Sequence, residues 1–156
     1  MRGILILFLL GAWVPMADAQ GAGRTERGRP KLPLELLPDT LAVCRLAPDE
    51  EVPAWAETSR GFVTISRTRQ ELSITAIQTS VPTGVRCERD YRAFRVRGPL
   101  PLDLIGILAA IADPLAQAGL SIFAISTFDT DYVLVKGREL EAAVAALERA
   151  GHHVSR

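Results

Sequence analysis

Histidine, cysteine, lysine and aromatic residues are all scarce in this chain, and each scarcity removes a class of function. The two cysteines, Cys44 and Cys87, form no CxxC pair. A zinc ribbon or a thioredoxin-type redox site therefore has no ligands at the required spacing. The two histidines, His152 and His153, are adjacent. In a strand they point to opposite faces and cannot share a metal, so they read as surface or tail residues. Aromatics at 6% are too few for the stacking platforms of a single-strand binder. Charge of neither sign is in excess, with 18 basic against 18 acidic residues. Nucleic acid and anionic membrane surfaces call for a basic surplus or stripe, so both are excluded as expected partners. Lysine occurs only at Lys31 and Lys136, the other basic residues being arginine, which reads as codon-composition bias. No GxSxG, HExxH or Walker-type loop occurs, and no Ser/His/Asp or Cys/His set has a supporting spacing. An enzyme is not expected, nor a cofactor or metal.

What is present suits a packed core. The chain has 156 residues, 48% of them hydrophobic, enough for one compact unit or two very small ones. Both cysteines lie in strand-like sequence, where a lone cysteine is most often a small buried apolar residue. In an oxidising compartment the two would instead pair. Met1 to Ala19 has the parts of a secretory signal: Arg2, an apolar run from Gly3 to Val14, and Ala17-Asp18-Ala19 ahead of Gln20. The competing reading is a start codon placed too far upstream, with translation beginning near Leu32. Residues 20–33 read as a Gly/Arg/Pro-rich linker.

Short strands follow at Leu41–Leu46, Phe62–Ser66 and Glu71–Ile77, with a brief helix near Pro53–Thr58. The alternation of Tyr91–Val96 puts Tyr91, Ala93 and Arg95 on one face and Phe94 and Val96 on the other. Asp103 reads as the N-cap of a helix over Leu104–Ala118, whose apolar repeat is Leu104, Ile105, Leu108, Ile111, Ala112 and Leu115. Pro114 falls inside that pattern and should kink or restart the helix, with Asp113 as a local cap. Gly119 ends it. A hairpin over Leu120–Ser126 and Asp131–Val135 comes next, then a helix over Leu140–Arg149 closed by Gly151, and a short strand near His152–Ser155. The order β-α-β-β-α from residue 91 is the split βαβ plan, an α+β class with an antiparallel sheet and both helices on one face. The first half repeats it loosely. Two related halves are expected, over residues 34–97 and 98–156, sharing one sheet.

The string Gly119-Leu-Ser-Ile-Phe-Ala-Ile-Ser-Thr-Phe-Asp-Thr-Asp-Tyr-Val-Leu-Val135 resembles the signature hairpin of small ACT-domain proteins related to the CASTOR arginine sensors. Leu41–Leu46, Pro53–Trp55 and Val81–Val85 fit the same family, and the likeness covers roughly Leu34 to Val154. It implies ferredoxin-like βαββαβ ACT units in tandem, with an amino acid held between the loop that opens a helix and a strand or loop of a partner unit. On this sequence those positions are Asp103, Leu104, Ile105 and Gly106 on one side, and Ser121, Ile122, Ser126, Thr127, Asp129 and Asp131 on the other.

The chemistry suits that placement. A helix start offers free N–H groups and partial positive charge to a carboxylate. Gly106 permits close approach of a ligand or chain. Asp129 and Asp131 can accept from an ammonium, and Ser126 and Thr127 add hydroxyls. Each residue also has a plainer use: Asp103 as a cap, Asp129 bonding its own turn, Ser121 as the polar side of a strand, Gly106 as relief for packing. Asp131 opens an apolar strand and is the hardest to explain structurally. The expected function is a non-catalytic regulatory or sensing module that binds a free amino acid and pairs as a homodimer. The rival readings are a protein-interaction module without a ligand, and an exported protein of unknown role. The family resemblance implies the cytoplasm; the leader implies export.

Overall fold

The computed structural model describes residues 29–156. The expectations for Met1–Ala19, and for the linker as far as residue 28, lie outside the described residues. Leu32 and Pro33, assigned above to the linker, belong to the fold: Leu32 is buried, and Pro33 begins strand β1 (Pro33–Leu36). Proline at a strand's first residue loses no ladder bond. The remaining strands are β2 (Leu41–Leu46), β3 (Val63–Arg67), β4 (Leu72–Ile77), β5 (Cys87–Val96), β6 (Phe123–Ser126), β7 (Asp131–Lys136) and β8 (His153–Ser155). The helices are α1 (Ala54–Glu57), α2 (Ile107–Gln117) and α3 (Leu140–Arg149).

All the strands join one sheet around β5. Its two edges carry β7 on one side and, end to end, β1 and β2 on the other. β4 and then β3 extend the sheet beyond β2, β8 lies outside β1, and β6 lies outside β7. Every pairing is antiparallel except β1 with β8. The alternation along β5 is the expected one: Phe94 and Val96 enter the core beneath α2 and α3, while Ala93 faces the opposite side with Leu41 and Leu134.

α2 and α3 cover one face. The buried stripe of α3 is Ala143, Val144, Ala146 and Leu147, which meets Ile111 and Leu115 of α2 over Leu34, Val133 and Val135. Alanine, leucine and glutamate give α3 high intrinsic propensity, and Gly151 at φ 90 ends it in the left-handed region. α1 contributes Ala56 to a second cluster with Ala42, Cys44, Leu72 and Ile74.

Four expectations are corrected. α2 starts at Ile107, with Gly106 at φ 87 as its N-cap and no side-chain cap bond. Asp103 therefore does not cap it, and Leu104 and Ile105 precede it. Its buried face is Ile107, Ala110, Ile111 and Leu115, whereas Leu104, Ile105 and Leu108 are exposed. Pro114 does not restart the helix, which runs from Ile107 to Gln117 as one element, and Asp113 pairs with Arg29. The cysteines are not free: Cys44 and Cys87 face each other across β2 and β5 and form a disulfide. His152 is buried, not a tail residue, while His153 is exposed.

Candidate functional site

The β5–α2 loop and the β6–β7 turn are drawn together by backbone. The Leu100 N–H donates to Asp129 O at 2.8 Å. Gly98 makes the approach possible, since a Cβ there would lie 2.8 Å from the same oxygen. Thr130, buried in the turn, donates its hydroxyl to Val96 O at 2.6 Å and fixes the turn to the end of β5. Thr127 closes the turn with its N–H and hydroxyl, both donating to Thr130 O at 2.9 and 2.8 Å.

Between these segments and the first turn of α2 lies a cavity of about 440 Å³. Its walls are largely apolar: Leu100, Pro101, Leu102, Ile107, Leu108 and Phe128. Six of the ten expected residues also line it, namely Leu104, Gly106, Ser126, Thr127, Asp129 and Asp131. The other four do not. Asp103 and Ile105 do not line it, and Ile105 is 93% exposed. Ser121 and Ile122 precede β6 at the end remote from the turn, and Ile122 packs against the main core. Gly98, Leu100 and Thr130 carry no local pattern that marks them as builders of this site, because Gly98-Pro99 reads only as a break in the chain.

The polar groups are of one charge. Asp129 and Asp131 supply carboxylates, and the lining includes no arginine or lysine. Asp131 Oδ1 accepts the Ser126 hydroxyl at 2.5 Å, which orients the carboxylate across the strand pair. At α2 the first intrahelical bond runs from the Ala110 N–H to Gly106 O. The N–H groups of Ile107, Leu108 and Ala109 therefore lack intrahelical acceptors. The site thus offers donors at one side, acceptors at the other and an apolar wall between. Among the described residues, no group of three His, Cys, Asp or Glu could hold a metal ion.

The comparisons with known proteins fit this geometry. The ACT domain family model matches residues 86–149, which include the whole cavity, and a model of an N-terminal domain matches residues 39–84. The cytosolic arginine sensor for mTORC1 subunit 1 of Rattus norvegicus is 42% identical over 60 residues, covering 38% of this chain and 18% of the sensor. The chain thus matches less than a fifth of the length of these curated relatives. A crystal structure from Agrobacterium tumefaciens is 37% identical, with a TM-score of 0.76 over 81% of this chain and 93% of that one. The regulatory subunit of aspartate kinase from Thermus flavus shares the fold at 15% identity, with a TM-score of 0.55 over 78% of this chain and 99% of that one. On the hairpin, the cavity and these matches together, the chain belongs to the ACT domain family.

Proposed function

We propose that this chain is a non-catalytic regulatory module that binds a free amino acid in the cavity between the start of α2 and the β6–β7 turn. The observation that carries this reading is the meeting, in one cavity, of an unpartnered helix start and two carboxylates. The ligand carboxylate sits against the N–H groups of Ile107 to Ala109, where the helix dipole favours an anion. Its ammonium lies by Asp129 and Asp131, in a lining without a competing cation. Its side chain rests on Leu100, Leu108 and Phe128. The arginine sensors among the relatives make arginine the first amino acid to try.

A second copy completes the site in this reading. Leu102 and Phe128, which line the cavity, are 74% and 79% exposed. Exposed apolar groups at the rim of a cavity mark a surface that is covered in use, and the outer strands β3 and β6 offer edges that pairing would protect.

The test is thermal unfolding of the full chain against a panel of free amino acids. A ligand at 100 times its dissociation constant stabilises by about 2.7 kcal/mol, a shift of several degrees. One amino acid should respond, and Asp131→Asn should abolish its effect. A panel without any response refutes the amino-acid reading. The same exposed apolar rim then supports the alternative, a docking face for a protein partner.

A further inference from the structure

The opposite end of the β5–β7 pair carries a second cavity of different chemistry. It has a volume of about 430 Å³ and is lined by Thr40, Arg89, Asp90, Arg92, Lys136, Gly137 and Arg138. Four cations thus face one carboxylate. Asp131 and Lys136, at the two ends of β7, are about 17 Å apart at the usual rise of a strand, so this cavity is separate from the first.

The fold assembles it deliberately. β2 advances two residues from Leu41 to Val43 while β5 advances three from Glu88 to Tyr91, which makes a bulge at Arg89 and Asp90. Bulges re-aim side chains beside sites, and here Asp90 takes φ 63 to do so. Gln78 holds the bulge: the Asp90 N–H donates to its Oε1 at 2.7 Å, and its Nε2 donates to Asp90 Oδ1 at 3.2 Å. The single acid is thereby already engaged. Gly137 packs close to the bulge, where a Cβ would lie 3.3 Å from Asp90 O.

Two of the four cations, Arg89 and Arg92, are held without being neutralised, and the other two pair only with exposed or neighbouring glutamates. Arg92 donates to Leu37 O at 3.1 Å, while its buried Nε has no protein acceptor. Arg89 donates to Pro82 O at 3.1 Å. Neither guanidinium has a carboxylate partner among the described residues. Lys136 Nζ lies 4.1 Å from the centre of the Tyr91 ring, bonded to Arg89 O at 2.8 Å and to the exposed Glu88 at 3.1 Å. Arg138 reaches only its neighbour Glu139, at 3.4 Å, with its side chain 77% exposed. Gly137 and Arg138 also open the turn that runs into α3, at the positive end of that helix.

We propose that this cavity binds a small multiply charged anion, a phosphate-bearing or polycarboxylate metabolite. Convergent guanidinium groups favour planar or tetrahedral oxyanions through paired N–H donors. No cofactor or chemical step is required.

The experiment titrates the full chain with inorganic phosphate, pyrophosphate and citrate, each against sodium chloride at matched ionic strength, by calorimetry and thermal shift. At least one of the three should bind saturably and stabilise the fold where chloride does not. Phosphate or pyrophosphate alone identifies a phosphate site, and citrate alone a carboxylate site. Arg89→Gln and Arg138→Gln should each weaken binding about tenfold, the loss of one charge-assisted contact. Arg138 is too exposed for its loss to unfold the chain. Asp131→Asn should leave anion binding unchanged, which separates this site from the amino-acid cavity. Equal effects of chloride, or retention of affinity in both arginine variants, would overturn the proposal, as would absence of binding by all three probes into the millimolar range.

Discussion

His152 and Pro114 solve one another's problem. Proline has no N–H, so the carbonyl four residues earlier in a helix loses its partner. That carbonyl is Ala110 O, and His152 Nε2 lies 3.0 Å from it. The other ring nitrogen, Nδ1, accepts the Leu32 N–H at 3.1 Å. Nδ1 is therefore unprotonated, and the hydrogen is on Nε2, which donates to Ala110 O. One buried neutral imidazole thus ties the approach to β1 to the middle of α2. His152→Leu leaves a buried donor and a buried acceptor unpaired and should cost about 2–4 kcal/mol. Pro114→Ala restores a backbone donor to Ala110 O, so the loss from His152→Leu should shrink by about 1 kcal/mol in that background. Urea unfolding of the four proteins in the cycle measures this, and strictly additive effects would remove the coupling. The sequence held only half of this arrangement. The proline was visible in the helical repeat, but a histidine 38 positions later becomes its partner only through the return of the chain along β8.

At the scale of elements, legibility followed periodicity. β2 and α3 are found with their full bounds, and β4 within a residue, because each has an unbroken alternating or helical pattern. β1 escaped because four residues containing a proline carry too little pattern, and its pairing with β5 and β8 is entirely non-local. The start of α2 was misplaced because Asp103, Leu104 and Ile105 imitate a cap followed by an apolar stripe. The backbone instead turns at Gly106; Leu104 lines the cavity and Ile105 is exposed. The helix start is misplaced for a physical reason: exposed leucine and isoleucine copy the pattern of a buried face. Gly106 provides the test. A Cβ there meets nothing within 4 Å, so only the φ of 87 opposes a side chain. Gly106→Ala should destabilise by about 1 kcal/mol. Because the helix start that faces the cavity depends on this conformation, the variant should also weaken amino-acid binding more than the stability loss requires. Parallel thermal shifts with and without ligand separate the two effects.

Across the whole molecule, β5 connects everything. It pairs with β7 and β1 beneath the α2–α3 layer, and its first residues pair with β2 and so with the β3–β4 hairpin. The two families of matches, to residues 39–84 and 86–149, meet where β5 begins. The Cys44–Cys87 disulfide stands at that junction, with a sequence separation of 43. A loop of that length gives a bridge up to about 4 kcal/mol through restriction of the unfolded chain. The bridge joins β2 to the first residue of β5 and does not touch the α2–α3 core. Reduction should therefore lower the stability of the whole chain by about 2–4 kcal/mol while leaving the amino-acid cavity assembled at moderate temperature. Intact mass with and without reductant establishes that the bridge forms, from the mass of the added hydrogens. Chemical denaturation of both forms gives the energy, and the Cys44→Ala/Cys87→Ala double variant should reproduce the reduced protein. Equal midpoints would mean that the direct strand pairing of β2 with β5 already fixes this junction. The bridge would then add nothing to what the sheet holds by its own hydrogen bonds.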